Sequence, residues 1–250
     1  MVNVILSGCG GAMGRAVSAR AHNMGCAIAA GIDPAADSRE GYPVFMEAAE
    51  CTVVADVIVD FSHPSALEEL LKLARRTGTP LVLATTGLDD AQLTQVRKTA
   101  EQVPIFFSFN MSLGINLMSA LARTATKVLG GQFDIEIIEK HHGRKLDAPS
   151  GTALMLAGAV SQELAAPPEY VHERHSRRKP RGKNEIGLHA VRGGTIVGEH
   201  ELLFAGQDET LSIIHAAYSR EVFATGALNA ARFMVGKPPG LYDMNDLINE

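Results

Sequence analysis

One segment, Ser7-Gly8-Cys9-Gly10-Gly11-Ala12-Met13-Gly14, limits what this chain can fold into more than any other. It follows a short β-branched run, Val2 to Leu6, and precedes helical spacing from Met13 to Met24, so glycine sits where a strand turns directly into a helix. Without side chains there, backbone N–H groups at the positive end of the helix can approach a pyrophosphate. The spacing is Gly8-x-x-Gly11-x-x-Gly14 with Gly10 as an extra; the strict GxGxxG form would need glycine where Met13 stands. Taken alone, the loop fits a tight turn as well as a dinucleotide site.

Context narrows the choice. A second run, Cys26 to Ile32, closes on Asp33 about 20 residues after the loop, where a carboxylate accepts hydrogen bonds from ribose hydroxyls. Strand, loop, helix and acid together read as a dinucleotide-binding βαβ unit. NADH is the favoured cofactor, because Asp33 repels a 2′-phosphate and neither Ala12 nor Pro34 supplies a cation. Arg15 and Arg39 leave NADPH open.

The alternation continues with a strand at Val57 to Phe61, a helix opening near Pro64, a strand at Leu81 to Ala84, a helix from Asp89 to Glu101 and a strand at Ile105 to Phe107. The expectation is an α/β fold whose amino-terminal part is a Rossmann-like, doubly wound parallel sheet. After Ser108 the rhythm changes to a helix at Leu113 to Leu129, a strand at Phe133 to Glu139, a helix at Gly151 to Leu164, and strand-like runs at Ile186 to Val191, Thr195 to Phe204 and Leu211 to Ala217. Their Gly-rich or polar turns predict a second α+β domain with an antiparallel sheet. A last helix, Glu221 to Val235, and a short apolar tail return to the first domain. The expected division is 1–108 with 219–250 for the dinucleotide and 109–218 for substrate binding and oligomerisation, with hinges at Ser108 to Met111 and after Tyr218.

Composition excludes several classes. With 46% hydrophobic residues, 20% charged and a net charge of -5, the chain resembles neither a disordered tail nor a membrane protein, and nucleic acid is not an expected partner. No basic leader precedes Met1 to Leu6, and Cys9, Cys26 and Cys51 lack the close pairing of zinc or redox motifs, so a cytoplasmic protein with reduced thiols is expected. The basic run His172 to Lys183 reads as a solvated loop before it reads as an anion or subunit contact.

The densest chemistry lies at Glu139-Lys140-His141-His142-Gly143-Arg144-Lys145-Leu146-Asp147-Ala148-Pro149-Ser150-Gly151-Thr152, between a strand and a helix. Ser150 can cap that helix, and the N–H groups of Gly151 and Thr152 then point outward as carboxylate ligands. One histidine can exchange a proton near neutral pH, and Lys145 can neutralise a carboxylate or protonate a developing anion. A metal held by Glu139 and the histidines is the weaker alternative, since Glu-x-His-His lacks helical HExxH spacing and adjacent residues on an extended segment face opposite sides. An anionic substrate suits this turn better.

Glu139 to Ala153, E-K-H-H-G-R-K-L-D-A-P-S-G-T-A, closely resembles the dihydrodipicolinate reductase signature E-x-H-H-x-x-K-x-D-A-P-S-G-T-A. The similarity extends to Gly14-Arg15, to Ala84-Thr85-Thr86-Gly87, to Asn110 through Asn116 and to Val191 through His200, nearly the whole chain. The resemblance implies a reductase of the diaminopimelate–lysine route that passes hydride from NADH or NADPH to a cyclic unsaturated dicarboxylate. That ring arises from a 4-hydroxy precursor by loss of water, and the product is tetrahydrodipicolinate. It implies that His141 is the proton donor or acceptor and Lys145 the second donor, with His142, Gly151 and Thr152 binding substrate carboxylates. The cofactor would be lined by Gly8, Cys9, Gly10, Gly11, Ala12 and Met13, by Asp33, by Ala84, Thr85 and Thr86, and by Ser108, Phe109, Asn110 and Met111. A homotetramer joined through the second domains is implied as well.

The chain departs from the family pattern at Ala12, where many members carry arginine, at Pro34, where some carry another, and at Met111, where phenylalanine is common. The first two favour NADH; the third changes shape rather than polarity. Two rivals share the cofactor loop. A related two-domain dehydrogenase of amino acids or sugars would not need the carboxylate-binding turn, and a non-catalytic dinucleotide sensor would consume no NADH.

Overall fold

The computed structural model of the chain describes residues 1–35 and 41–249. Strand β1 (Val2–Ser7) leads through the glycine loop into helix α1 (Ala12–Ala21), followed by β2 (Cys26–Ile32), β3 (Val44–Phe45), β4 (Val57–Asp60), α2 (Leu67–Thr77), β5 (Leu81–Leu83), α3 (Asp90–Ala100) and β6 (Pro104–Phe107). Then come α4 (Leu113–Leu129), β7 (Asp134–His141), α5 (Gly151–Ser161), β8 (Glu169–Val171), β9 (Glu185–Arg192), β10 (Gly198–Ala205) and β11 (Thr210–Ala217), and the chain ends with α6 (Glu221–Met234), β12 (Gly240–Tyr242) and α7 (Met244–Ile248). It divides into two compact units, Met1–Leu113 with Arg220–Glu250, and Gly114–Ser219.

The first unit holds a parallel sheet in the order β12-β6-β5-β4-β1-β2-β3. Its strands read as continuous apolar runs because both faces are covered. Successive side chains alternate between two cores: Val4, Leu6, Val57, Val59, Val82 and Phe106 pack with α1 and α6, while Ile5, Ile58, Leu81, Leu83 and Ile105 pack with α2 and α3. The sheet is therefore doubly wound, as the alternating pattern predicted. Local signals behave as read: Asp89 forms a capping box with Gln92, and Gly78 closes α2 in the left-handed region at φ 68°. The apolar tail becomes β12, which joins β6 at the sheet edge.

The break between units falls after Leu113 rather than at 108, and packing accounts for it. Met111 is 2% exposed within the first core, and a Cβ built on Gly226 of α6 would stand 1.6 Å from the Met111 carbonyl oxygen. Residues 109–113 therefore stay with the unit they pack against.

In the second unit the sheet order is β11-β10-β7-β9-β8. The expectation of an antiparallel sheet needs correction: β10 pairs antiparallel with β11 and β7, but β7 with β9 and β8 with β9 run parallel, so the sheet is mixed. The long segment through α5 between β7 and β9 supplies the crossover that parallel pairing requires. One face packs Ile135, Ile137, Leu188, Leu202 and Phe204 against Ile115 and Met118 of α4 and Leu156 and Val160 of α5.

The basic run is an internal strap. Arg174 bonds Glu136 and Glu185, Arg181 bonds Glu136 and Asp134, and Arg177 bonds Glu169. These arginines stitch the loop to β7, β8 and β9, while most of its other residues stay exposed, as expected of a solvated loop.

Candidate active site

In the first unit the strand order reverses between β1 and β4, the place where open α/β sheets bind ligands at the carboxyl ends of their strands. A cavity of about 570 Å³ opens there, lined among others by Gly8 and Gly11 of the loop, Asp33 and Pro34 after β2, and Ser62 and His63 after β4. The glycines are required by geometry. Gly8 holds φ at 75°, and a Cβ on it would lie 2.6 Å from the Phe61 carbonyl oxygen; a Cβ on Gly14 would lie 2.2 Å from the Gly8 carbonyl oxygen. This cradle fits a dinucleotide that approaches backbone. Gly14→Ala is expected to cost about 2 kcal/mol by overpacking and to weaken NADH binding, checked by thermal denaturation and cofactor titration.

The other expected cofactor residues divide. Gly10 donates its N–H to the Asp33 carboxylate at 3.0 Å, tying loop to acid. Cys9 is buried beneath the loop, whereas Ala12 is exposed and Met13 half-buried on the first turn of α1. Ala84 and Thr85 are buried after β5, and Thr86 is exposed. The turn Ser108-Phe109-Asn110-Met111 is braced by Ser108 Oγ donating to the Asn110 carbonyl at 2.9 Å and by the Ser112 N–H donating to Asn110 Oδ1 at 2.8 Å. Met111 points into the core, so the ring that solvent reaches in this turn is Phe109. Arg15 donates to the Gly10 carbonyl, and Arg39 lies outside the described residues.

Asp60, at the end of β4, escaped the sequence reading. Burial pushes its carboxyl above the usual range, opposed by hydrogen bonds from the Ser62 N–H at 3.0 Å and Thr85 Oγ at 2.6 Å. An acid closing the otherwise apolar strand Val57-Ile58-Val59 was the available signal.

In the second unit, β7 alternates Ile135, Ile137, Glu139 and His141 onto the face covered by helices. Glu139 is 1% exposed and accepts from His141 Nδ1 at 2.6 Å, the Ser150 N–H at 3.1 Å, and Arg192 Nη1 and Nη2, both at 2.7 Å. Burial works against its charge, but Arg192 and His141 hold its carboxyl below the usual range. Ser150 caps α5 through its Oγ, which accepts from the Ala153 N–H at 3.2 Å and meets His200 Nε2 at 3.1 Å. Gly151 and Thr152 thus occupy the first two positions of the helix, whose N–H groups point out of its end.

His142 is half-buried, and its Nδ1 is buried with no hydrogen-bond partner among the described residues. Lys145 pairs with Asp147 at 2.9 Å. His200 packs edge-on to His141, centroids 5.2 Å apart, and burial, then the neighbouring His141, lower its pKa to about 4. The second unit thus gathers His141, His142, Lys145, Gly151 and Thr152 around one strand end and one helix start. Arg192 and His200 were visible in the sequence only as parts of a longer resemblance, and their service to this turn depends on strand register: His141 stands opposite Arg192, and Glu139 opposite His200.

Residues 2–111 match the family model for the dihydrodipicolinate reductase N-terminus, and residues 114–248 match the model for its C-terminus. The chain is 49% identical to 4-hydroxy-tetrahydrodipicolinate reductase of Caldanaerobacter subterraneus, the alignment covering 100% of this chain and 99% of that protein. It is 48% identical to the enzyme of the same name from Clostridium novyi, over 99% and 98%. Among solved structures, dipicolinate-bound dihydrodipicolinate reductase from Paenisporosarcina sp. TG-14 superposes with a TM-score of 0.82 at 25% identity, covering 98% of this chain and 99% of that one. Fold and comparisons define a reductase with a Rossmann-like, pyridine-nucleotide-binding first unit. The chain belongs to the dihydrodipicolinate reductase family.

Proposed function

We propose that this chain reduces the dihydrodipicolinate that forms from 4-hydroxy-tetrahydrodipicolinate, giving tetrahydrodipicolinate in lysine and diaminopimelate biosynthesis, with NADH preferred over NADPH. The observation that carries the reaction is the turn from His141 to Thr152, where a capped helix start and two histidines with Lys145 meet at one strand end. That arrangement suits a doubly charged ring. His142 and the N–H groups of Gly151 and Thr152 hold its carboxylates by charge-assisted hydrogen bonds. Reduced nicotinamide, when bound, supplies the hydride. His141 or Lys145 supplies the proton that the reduced ring then needs.

The cofactor preference rests on the lining of the first unit's cavity. Asp33, Glu47 and Glu69 line it, and no lysine or arginine does among the described residues. A 2′-phosphate would meet carboxylates without a compensating cation. The chain's own residues also suggest place and assembly. Its three cysteines are buried and form no disulfide among the described residues, as a cytoplasmic enzyme permits, and no helix of the described residues is long and apolar enough to cross a membrane. A homotetramer would use the second sheet, where Val191 and Ile214 are 45% and 58% exposed.

The test supplies freshly made condensation product of aspartate semialdehyde and pyruvate and follows NADH and NADPH oxidation separately. Turnover is expected with both, with kcat/KM at least about tenfold higher for NADH, a difference of ~1.4 kcal/mol. Absence of turnover with either cofactor would sink the reaction; equal efficiency would sink the preference.

A further inference from the structure

We infer that Glu139, clamped by Arg192, is a positioning residue: it fixes which nitrogen of His141 exchanges the proton and ties that ring to the carboxylate-binding end of α5. The inference rests on the roles assigned above to His141 and to the helix start.

A glutamate on the inner face of β7, beyond Ile135 and Ile137 on the same face, is costly to bury unless its acceptor sites are filled. Here four donors fill them. Arg192 contributes two N–H groups in a bidentate fork and the Ser150 backbone one, and none of these three can act as an acceptor. The guanidinium keeps the carboxylate charged, and a charged carboxylate only accepts. His141 must therefore present Nδ1–H to Glu139 across their 2.6 Å contact.

Two consequences follow for the ring. Its lone pair in the neutral form lies on Nε2, so this nitrogen takes up and gives back the proton. Nε2 also stands beside Gly198, where an added Cβ would approach within 3.1 Å, so the position opposite the reactive nitrogen is kept free of a side chain. The same carboxylate receives the Ser150 N–H immediately before α5, and Arg192 Nη2 additionally donates to the Asp147 carbonyl at 2.7 Å. One anchor thereby sets the imidazole, the helix end and the turn between them. A purely structural Glu–Arg pair would need neither the histidine nor the helix cap.

The experiment compares wild type with Glu139→Gln in the full chain. Glutamine keeps the shape but brings a donor, which drives the neighbouring imidazole towards the Nε2–H tautomer. Expected are a fall in kcat by a factor on the order of 10²–10⁴, the range a positioned proton-transfer group contributes, whose upper end matches a histidine held in the wrong tautomer, and a KM for NADH changed by less than about twofold. By ¹⁵N NMR, with His141 assigned by its loss in His141→Gln, the neutral ring should be Nδ1–H in wild type and Nε2–H in Glu139→Gln. The tautomer is read without turnover, so a wild type inert towards the substrate counts against the proposed reaction and leaves this readout standing. A wild-type Nε2–H ring, or Glu139→Gln with wild-type kcat, overturns the role of Glu139. Should Glu139→Gln fail to fold, the wild-type spectrum alone decides.

Discussion

His141→Gln is expected to lower turnover by a factor on the order of 10²–10⁴, the range that a positioned proton-transfer group contributes. NADH binding should persist, because the glycine loop and Asp33 belong to the other unit. Glutamine keeps a polar side chain at the end of β7 but cannot exchange a proton near neutral pH. Lys145→Ala should lower turnover comparably, and should also raise KM for the dicarboxylate if its ammonium, now paired with Asp147, turns to the substrate. The double variant separates two schemes. If both groups serve one proton transfer, the second substitution adds little to the first; if one protonates and the other only binds, the effects multiply. Near-normal turnover in both single variants, with cofactor still bound, would remove these residues from the mechanism. Stopped-flow NADH oxidation under single-turnover conditions is the measurement, since it reports chemistry apart from product release.

Much of this was legible because the physics behind it is local. Continuous apolar strands declare a sheet covered on both faces, and the glycine loop, the Asp89 cap and the Ser150 cap each act within a few residues. What escaped is non-local or too short to carry a period. Strands β3, β8 and β12 have two or three residues each, below any recognisable alternation. The parallel pairing of β7 with β9 was hidden because turn-separated runs suggest hairpins, while β7 lies between β10 and β9, both of them beyond α5 in the chain. Arg192 shows the limit most clearly: 53 residues separate it from Glu139, and only the register that sets His141 opposite Arg192 brings the pair together. Met111 shows another. Its place in a matching motif suggested a surface beside the cofactor, but burial is decided by α6, more than a hundred residues later in the chain.

Acid should destabilise this protein between about pH 6.5 and pH 4, and His200 should account for a slope of its own in that window. Its folded pKa of about 4 lies below the ordinary imidazole value of 6.5, with burial as the main cause and the neighbouring His141 second. Between those values the unfolded chain binds a proton that the folded chain refuses, so stability rises with pH there and falls as pH drops. The full shift corresponds to ~3 kcal/mol, at 1.36 kcal/mol per unit, lost by the time pH reaches 4. Glu139 works in the same direction but lower down: its folded pKa is depressed, so its contribution is complete above the ordinary glutamate range and fades only as pH falls through the depressed value. The two windows can therefore be told apart. His200→Gln removes the titration while leaving a group able to meet Ser150 Oγ. Denaturant unfolding from pH 7 to pH 4 should show the wild type losing stability relative to this variant by ~3 kcal/mol across the range, whatever their difference at pH 7. Parallel curves would mean that His200 is reached by solvent and protonated in the folded protein, and that the interior between β7, β10 and the start of α5 is wetter than its packing implies.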